Sequence, residues 1–113
     1  MNTVSLSEVE RKMLHRAVGI LATVDIDGYP HAVPITINVD GSTLVCNTGT
    51  VTHKISNMRR NPRVSISIVG DPKWCIMIQG DASIEPALPD RSLIRIRPIR
   101  KIVWGIPEEP ANN

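Results

Sequence analysis

The sequence predicts a small, mainly β protein, a closed or partly open barrel of six strands, and three observations carry the prediction. Its apolar residues are chiefly Ile and Val, with no Phe, one Tyr and two Trp; β-branched side chains suit the pleated, half-buried surface of a sheet. Several stretches alternate apolar and polar residues with period two, most cleanly from His31 to Val39. Nine Pro and seven Gly punctuate these stretches at turns, and only two segments carry helical signals. At 113 residues the chain is expected to form a single domain, 1–113, that can bury one modest core.

Taken in order, Ser5-Leu-Ser-Glu8 fits a capping box, with Val4 and Val9 placed as a hydrophobic staple. Val9, Met13, Leu14 and Ala17 make one apolar stripe, so residues 6–17 read as an amphipathic helix. His15, near its end, reads as a helix-end histidine without chemistry. Ile20 to Val24 is a short strand, Asp25-Ile-Asp-Gly28 a turn, and Pro30 opens the next strand where no ladder donor is needed. From His31 to Val39, Val33, Ile35, Ile37 and Val39 face one way; Ala32, Pro34, Thr36 and Asn38 face the other. Pro34 inside this strand demands an edge or a bulge. Asp40-Gly41 signals a hairpin into the strand Thr43–Thr48.

A Thr/Gly turn then leads to a short helix opening at His53-Lys54 and stopping at Asn61-Pro62. Val64, Ile66 and Ile68 alternate with Ser65 and Ser67 in the fourth strand, and Gly70-Asp-Pro72 turns the chain. Trp74 to Ile84 is a long strand in which Gly80 suggests a bulge. Pro86 to Ile94 has room for a turn or two of helix. Arg95 to Ile106 reads as a last strand broken by Pro98, and the tail 107–113 as frayed.

Charge is unevenly placed. No Asp or Glu occurs between Asp40 and Asp71, where Lys54, Arg59, Arg60 and Arg63 lie, nor from Arg91 to Pro107, which holds Arg91, Arg95, Arg97, Arg100 and Lys101. Two basic blocks suit an anionic partner, a phosphorylated small molecule or a nucleic acid, although a basic helix is also simply a solvated face. A strand ending at Asn47-Thr48, a turn, and a helix beginning at His53-Lys54 would converge backbone N–H groups, hydroxyls and an ammonium on one point. Nucleic acid is disfavoured because such surfaces stack bases on exposed aromatics, and this chain has few. His15, His31 and His53 fall in separate elements without metal-ligand spacing, so no metal site is expected. Cys46 and Cys75 form no CxxC and read as reduced core residues. Without an apolar run of membrane-spanning length or a signal-peptide pattern, a cytoplasmic location is expected.

The ordered set Asn47-Thr48, His53-Lys54 and Asn61-Pro-Arg-Val64-Ser resembles the core of the pyridoxine 5′-phosphate oxidase-like, FMN-binding split β-barrels. The similarity extends back through Gly28-Tyr-Pro30 and His31–Thr36, and forward through Ile78-Gln-Gly-Asp-Ala82 to Trp104. The resemblance implies a homodimer with two flavins at its interface and an oxidoreductase of unassigned substrate. FMN is the implied cofactor, with a deazaflavin as the alternative; a non-enzymatic barrel that binds nucleic acid or carries a ligand is the competing reading.

Carried over by position, the resemblance gives Thr48 and Lys54 as phosphate ligands, with His53 in place of an Arg. Residues His31, Ala32, Val33, Pro34 and Thr36 would line the isoalloxazine ring through backbone groups, and Asn47 would meet the ribityl-phosphate arm. Cys75 or Gln79, and Trp104, would close the site from the second subunit. The chain departs from the family at His31 and His53, where Arg is usual, at Thr36, where Lys is usual, and at Cys75, where Gln is usual. The family's C-terminal Arg-Leu-His and the helix before the last strand are also lacking, so efficient pyridoxine 5′-phosphate oxidation is not expected.

Overall fold

The computed structural model describes residues 3–71 and 73–106; the tail expected to fray, 107–113, lies outside the described residues. The described residues form two helices, α1 (Glu8–Leu14) and α2 (His53–Arg60). The strands are β1 (Val18–Val24), β2 (Pro30–Thr36), β3 (Asn38–Asp40), β4 (Thr43–Gly49), β5 (Arg63–Gly70), β6 (Trp74–Leu88) and β7 (Arg91–Trp104). All pair antiparallel in one sheet, in the order β2-β1-β5-β6-β7-β4-β3. β2 and β3 stand at opposite ends of that order, yet only Ile37 separates them in the chain. The sheet therefore curls until its ends meet, and β2 comes into contact with β4. The result is a mainly β, split-barrel architecture.

The described residues form seven strands where six were expected, because His31–Val39 is two strands. At Ile37 the backbone leaves β1 and exchanges hydrogen bonds with the segment before it: Ile37 N–H donates to Ala17 O at 2.8 Å, and Arg16 N–H donates to Ile37 O at 2.7 Å. Beyond it the chain pairs with β4 instead. Pro34 is accommodated as expected, in a strand that pairs only with β1.

The first helix is shorter than 6–17. Ser7, not Ser5, is the N-cap: its Oγ accepts from Glu10 N–H at 3.1 Å, and Glu10 Oε1 accepts from Ser7 N–H at 2.9 Å. The box thus lies two residues further on, and Val4 N–H instead donates to Pro98 O on β7. The helix stops before Arg16, whose φ of 65 is left-handed.

Residues 86–94 hold no helix. β6 and β7 run on to a two-residue turn at Pro89-Asp90, with Leu88 opposite Arg91, and Pro86 and Pro89 deny a helix its backbone donors. Nor does Pro98 break the last strand. Gln79 pairs with Arg100 and Gly80 with Pro98, so Ile99 is the extra residue of a bulge opposite Gly80. A Cβ at Gly80 would lie 2.4 Å from Arg97 O, which explains the glycine.

The core lies inside the barrel. Leu21, Ile35, Ile37, Leu44, Cys46, Val64, Ile66, Ile68, Ile76, Ile78, Ile94 and Ile96 point inward, and Ile55 and Met58 of α2 join the same cluster. Cys75 is not a core residue. It is half-buried on the outer face, between Val69 and Trp104 in the register.

Candidate functional site

The site is built where β1, β2 and the start of α2 meet. β1 ends at Val24, and the turn that follows closes with Asp25 N–H donating to Tyr29 O at 2.8 Å; Gly28 supplies the left-handed residue (φ 88). β2 then places His31 opposite Thr23, which is buried. On the far side β4 delivers the loop 50–52, and Thr52 caps α2 by accepting from Ile55 N–H. His53 and Lys54 thus occupy the first helical turn, in which there is no acidic residue.

His31 and His53, read from the sequence as separate, come together. Their rings stack with centroids 4.5 Å apart at an interplanar angle of 16°. His53 Nε2 lies 2.5 Å from Asp25 Oδ1. That hydrogen bond holds the Asp25 carboxyl below its usual range, with the nearby charge of the two imidazoles adding to it. His31 Nδ1 is buried and has no hydrogen-bond partner, a situation that ordinarily costs about 1–3 kcal/mol. Beneath the pair, Asn57 is fully buried and donates from Nδ2 to Thr23 Oγ1 at 3.0 Å, while its Oδ1 accepts from Arg60 Nη2. This bridge fixes α2 to β1 and so fixes His53 over His31. The side chain of Lys54 makes no hydrogen bond or ion pair among the described residues.

The other expected residues divide into groups. Ala32, Pro34 and Thr36 form an exposed strip on the outer side of β2, with Val33 turned the other way and half-buried. Since β2 pairs only with β1, backbone groups along its other edge are open to a ligand. Asn47 is exposed, but its Oδ1 accepts from Arg91 Nε at 2.9 Å; Thr48 is buried beside Ser92. Gln79 lines an outer groove of about 440 Å³ with Ala22, Ser65 and Arg100. Cys75 and Trp104 sit at the other end of that face, so within one chain they do not approach the histidine pair.

This outer face is apolar along its registers. One row runs Pro34, Ile20, Ser67, Met77, Ile102 across β2, β1, β5, β6 and β7. Val18, Val69 and Trp104 flank it, exposed by 66%, 76% and 51%.

Sequence reasoning missed Asp25 and Asn57. Asp25 read only as a turn residue, although it follows a strand whose neighbour carries His31. Asn57 sits one helical turn after His53, and a polar residue at that spacing on a helix covering a core was the available signal. Much of the C-terminal basic stretch is tied up internally. Arg95 pairs with Asp40 and Glu85, Arg97 with Asp81, and Lys101 with Glu10. Among the described residues no three His, Cys, Asp or Glu are placed to hold a metal ion, and no helix is long and apolar enough to cross a membrane.

An antiparallel split barrel with a helix closing one mouth over a basic cluster defines the structural class. Within it, the family model for pyridoxamine 5′-phosphate oxidase matches residues 6–106, and the chain belongs to that family. Solved structures agree on the fold. An F420 reductase superposes with a TM-score of 0.75 at 22% identity, covering 86% of this chain and 98% of that one. A provisionally assigned pyridoxamine 5′-phosphate oxidase from Listeria innocua gives 0.72 at 27% identity, covering 83% and 92%. General Stress Protein 26 from Bacillus anthracis gives 0.72 at 22%, covering 82% and 89%. Among curated proteins none matches the chain significantly.

Proposed function

We propose that the chain is a flavin-binding oxidoreductase that works as a homodimer, with FMN as the cofactor. The observation that carries this reading is the cluster of His31, His53 and Lys54 at the start of α2, next to the open edge of β2. The residues fit the cofactor in kind. An unpaired ammonium, an imidazole with an orphaned buried nitrogen and a helix N-terminus suit a phosphate. The small, exposed Ala32-to-Thr36 strip suits a flat ring held by backbone groups. Once bound, the flavin supplies the hydride transfer, and the chain positions it and sets its specificity.

The outer face supports the dimer. Large exposed apolar patches are uncommon on soluble monomers, and a stable interface needs about 800 Å² from each partner. Packing two such faces together would bring Cys75, Gln79 and Trp104 of one subunit towards the flavin of the other. Cytoplasmic location belongs to this same reading. A deazaflavin is the second reading, favoured by the likeness to an F420 reductase. Titration of the apo-protein with FMN and with F420, followed by flavin fluorescence, tests both; tight binding of FMN is expected. Binding of neither, together with salt-dependent binding of DNA, would replace this reading with the nucleic-acid one.

A further inference from the structure

We propose that Asp25, His53 and His31 form a proton-linked phosphate grip: a phosphate monoester binds here together with a proton taken up by the imidazole pair, so affinity peaks near neutrality and falls in alkali. The inference rests on reading this site as the phosphate end of a flavin pocket and adds how that end is regulated.

The geometry supplies the argument. Asp25 is an acceptor when ionised, so the 2.5 Å contact requires His53 to donate from Nε2. His53 thus has a carboxylate in contact. His31 has none in contact and feels that of Asp25 only at a distance. It is stacked face to face on His53, its Nδ1 is buried without an acceptor, and among the described residues no carboxylate pairs with it. A second proton on the stack would set like charges about one ring separation apart. A phosphate dianion bound at the pair removes that obstacle, and binding then draws in the second proton.

Other ionisable groups stand near the pair. Asp27 shares the β1–β2 turn with Asp25 and accepts from Tyr29 N–H. Lys54 lies beside His53 on α2, Arg60 is bonded to Asn57, and Arg63 opens β5 on the groove shared with Val24 and Pro30. The loop 50–52 brings no ionisable side chain. Imidazole is the side chain that changes charge between about pH 5 and 8. A phosphate monoester loses its second proton near pH ~6, so the anion weakens on the acid side and the pair on the alkaline side. Guanidinium groups in the same places would leave the alkaline side flat.

The test measures FMN and riboflavin binding by fluorescence from about pH 6 to 9, with calorimetry in two buffers of different ionisation enthalpy. FMN should weaken by up to tenfold per pH unit on the alkaline side, with close to one proton taken up near neutrality. Riboflavin, which lacks the phosphate, should show neither effect. His31→Arg should flatten the FMN profile, and Asp25→Asn should shift its alkaline limb to lower pH. A flat wild-type profile with no proton uptake overturns the grip while leaving the flavin reading intact. If neither flavin binds, that reading fails, and inorganic phosphate decides the grip alone. An imidazole ¹⁵N resonance of His31 that moves towards the protonated form on adding phosphate upholds it, and an unmoved resonance overturns it.

Discussion

Replacing Lys54 by Ala separates a ligand-binding cation from an ordinary surface one, because the fold gives the two roles opposite signs. Lys54 stands in the first turn of α2, where the helix dipole disfavours a positive charge, and no acid in that turn offsets it. Among the described residues it has no partner to lose. Its removal should therefore leave folding unchanged or stabilise it by about 0.3–1 kcal/mol. If it holds the cofactor phosphate, the same change removes a charged hydrogen bond of about 1.5–3 kcal/mol, which weakens FMN binding by roughly ten- to a hundredfold. Arg59 is the control. It lies in the last turn, where a cation is favourable, and lines a separate groove with Thr50, Arg91 and Ser92. Arg59→Ala should lower stability slightly and leave FMN affinity within about twofold. Denaturant melts and FMN titrations on the same preparations give both quantities. Equal loss of affinity in the two variants would mean a diffuse basic surface and refute the assignment of Lys54.

Other consequences follow from the same geometry. Asp25 is held below its usual range by His53, so the pair contributes stability that is present above about pH 3.9 and lost as pH falls through the lowered value. Melting temperatures of wild type and Asp25→Asn should differ at pH 5 to 6 and converge in stronger acid; curves parallel throughout would show that the contact adds nothing. Burial pushes the Cys46 thiol up to about 12, so a Cys75→Ser variant should resist a thiol reagent until it is unfolded, and rapid native labelling would contradict the core placement. Pyridoxine 5′-phosphate turnover should be negligible, because the Arg-Leu-His motif is lacking and, of the C-terminal arginines, Arg95 and Arg97 are paired with Asp40, Glu85 and Asp81. Rapid anaerobic bleaching of the bound flavin by that substrate would show otherwise.

The alternation of Val33, Ile35 and Ile37 and of Val64, Ile66 and Ile68 was enough to give the sheet, because period-two burial is a local property of a strand. The second helix was equally legible, since Asn61-Pro62 stops it and its apolar residues face the core. What was not legible depends on contacts distant in sequence. The segment before α1 is tied to β7 by Val4 bonding to Pro98, and β2 is divided from β3 by Ile37 bonding to residues 16 and 17. The hairpin at Pro89-Asp90 hid behind two prolines that suggested irregular chain. At the site, the resemblance named His31, His53 and Lys54, but pairing Asp25 with His53 across 28 residues needs the closed barrel. The basic C-terminal run looked like a surface for an anion until its acidic partners on β3 and β6 were in place.

The central claim, a flavin shared between two copies of the chain, is tested most directly by sedimentation of the FMN-loaded protein observed at the flavin absorption band. The flavin should sediment with a species of twice 12.4 kDa, carrying one FMN per chain. Flavin that stays behind as free ligand, or that travels with a monomer of 12.4 kDa, would contradict it.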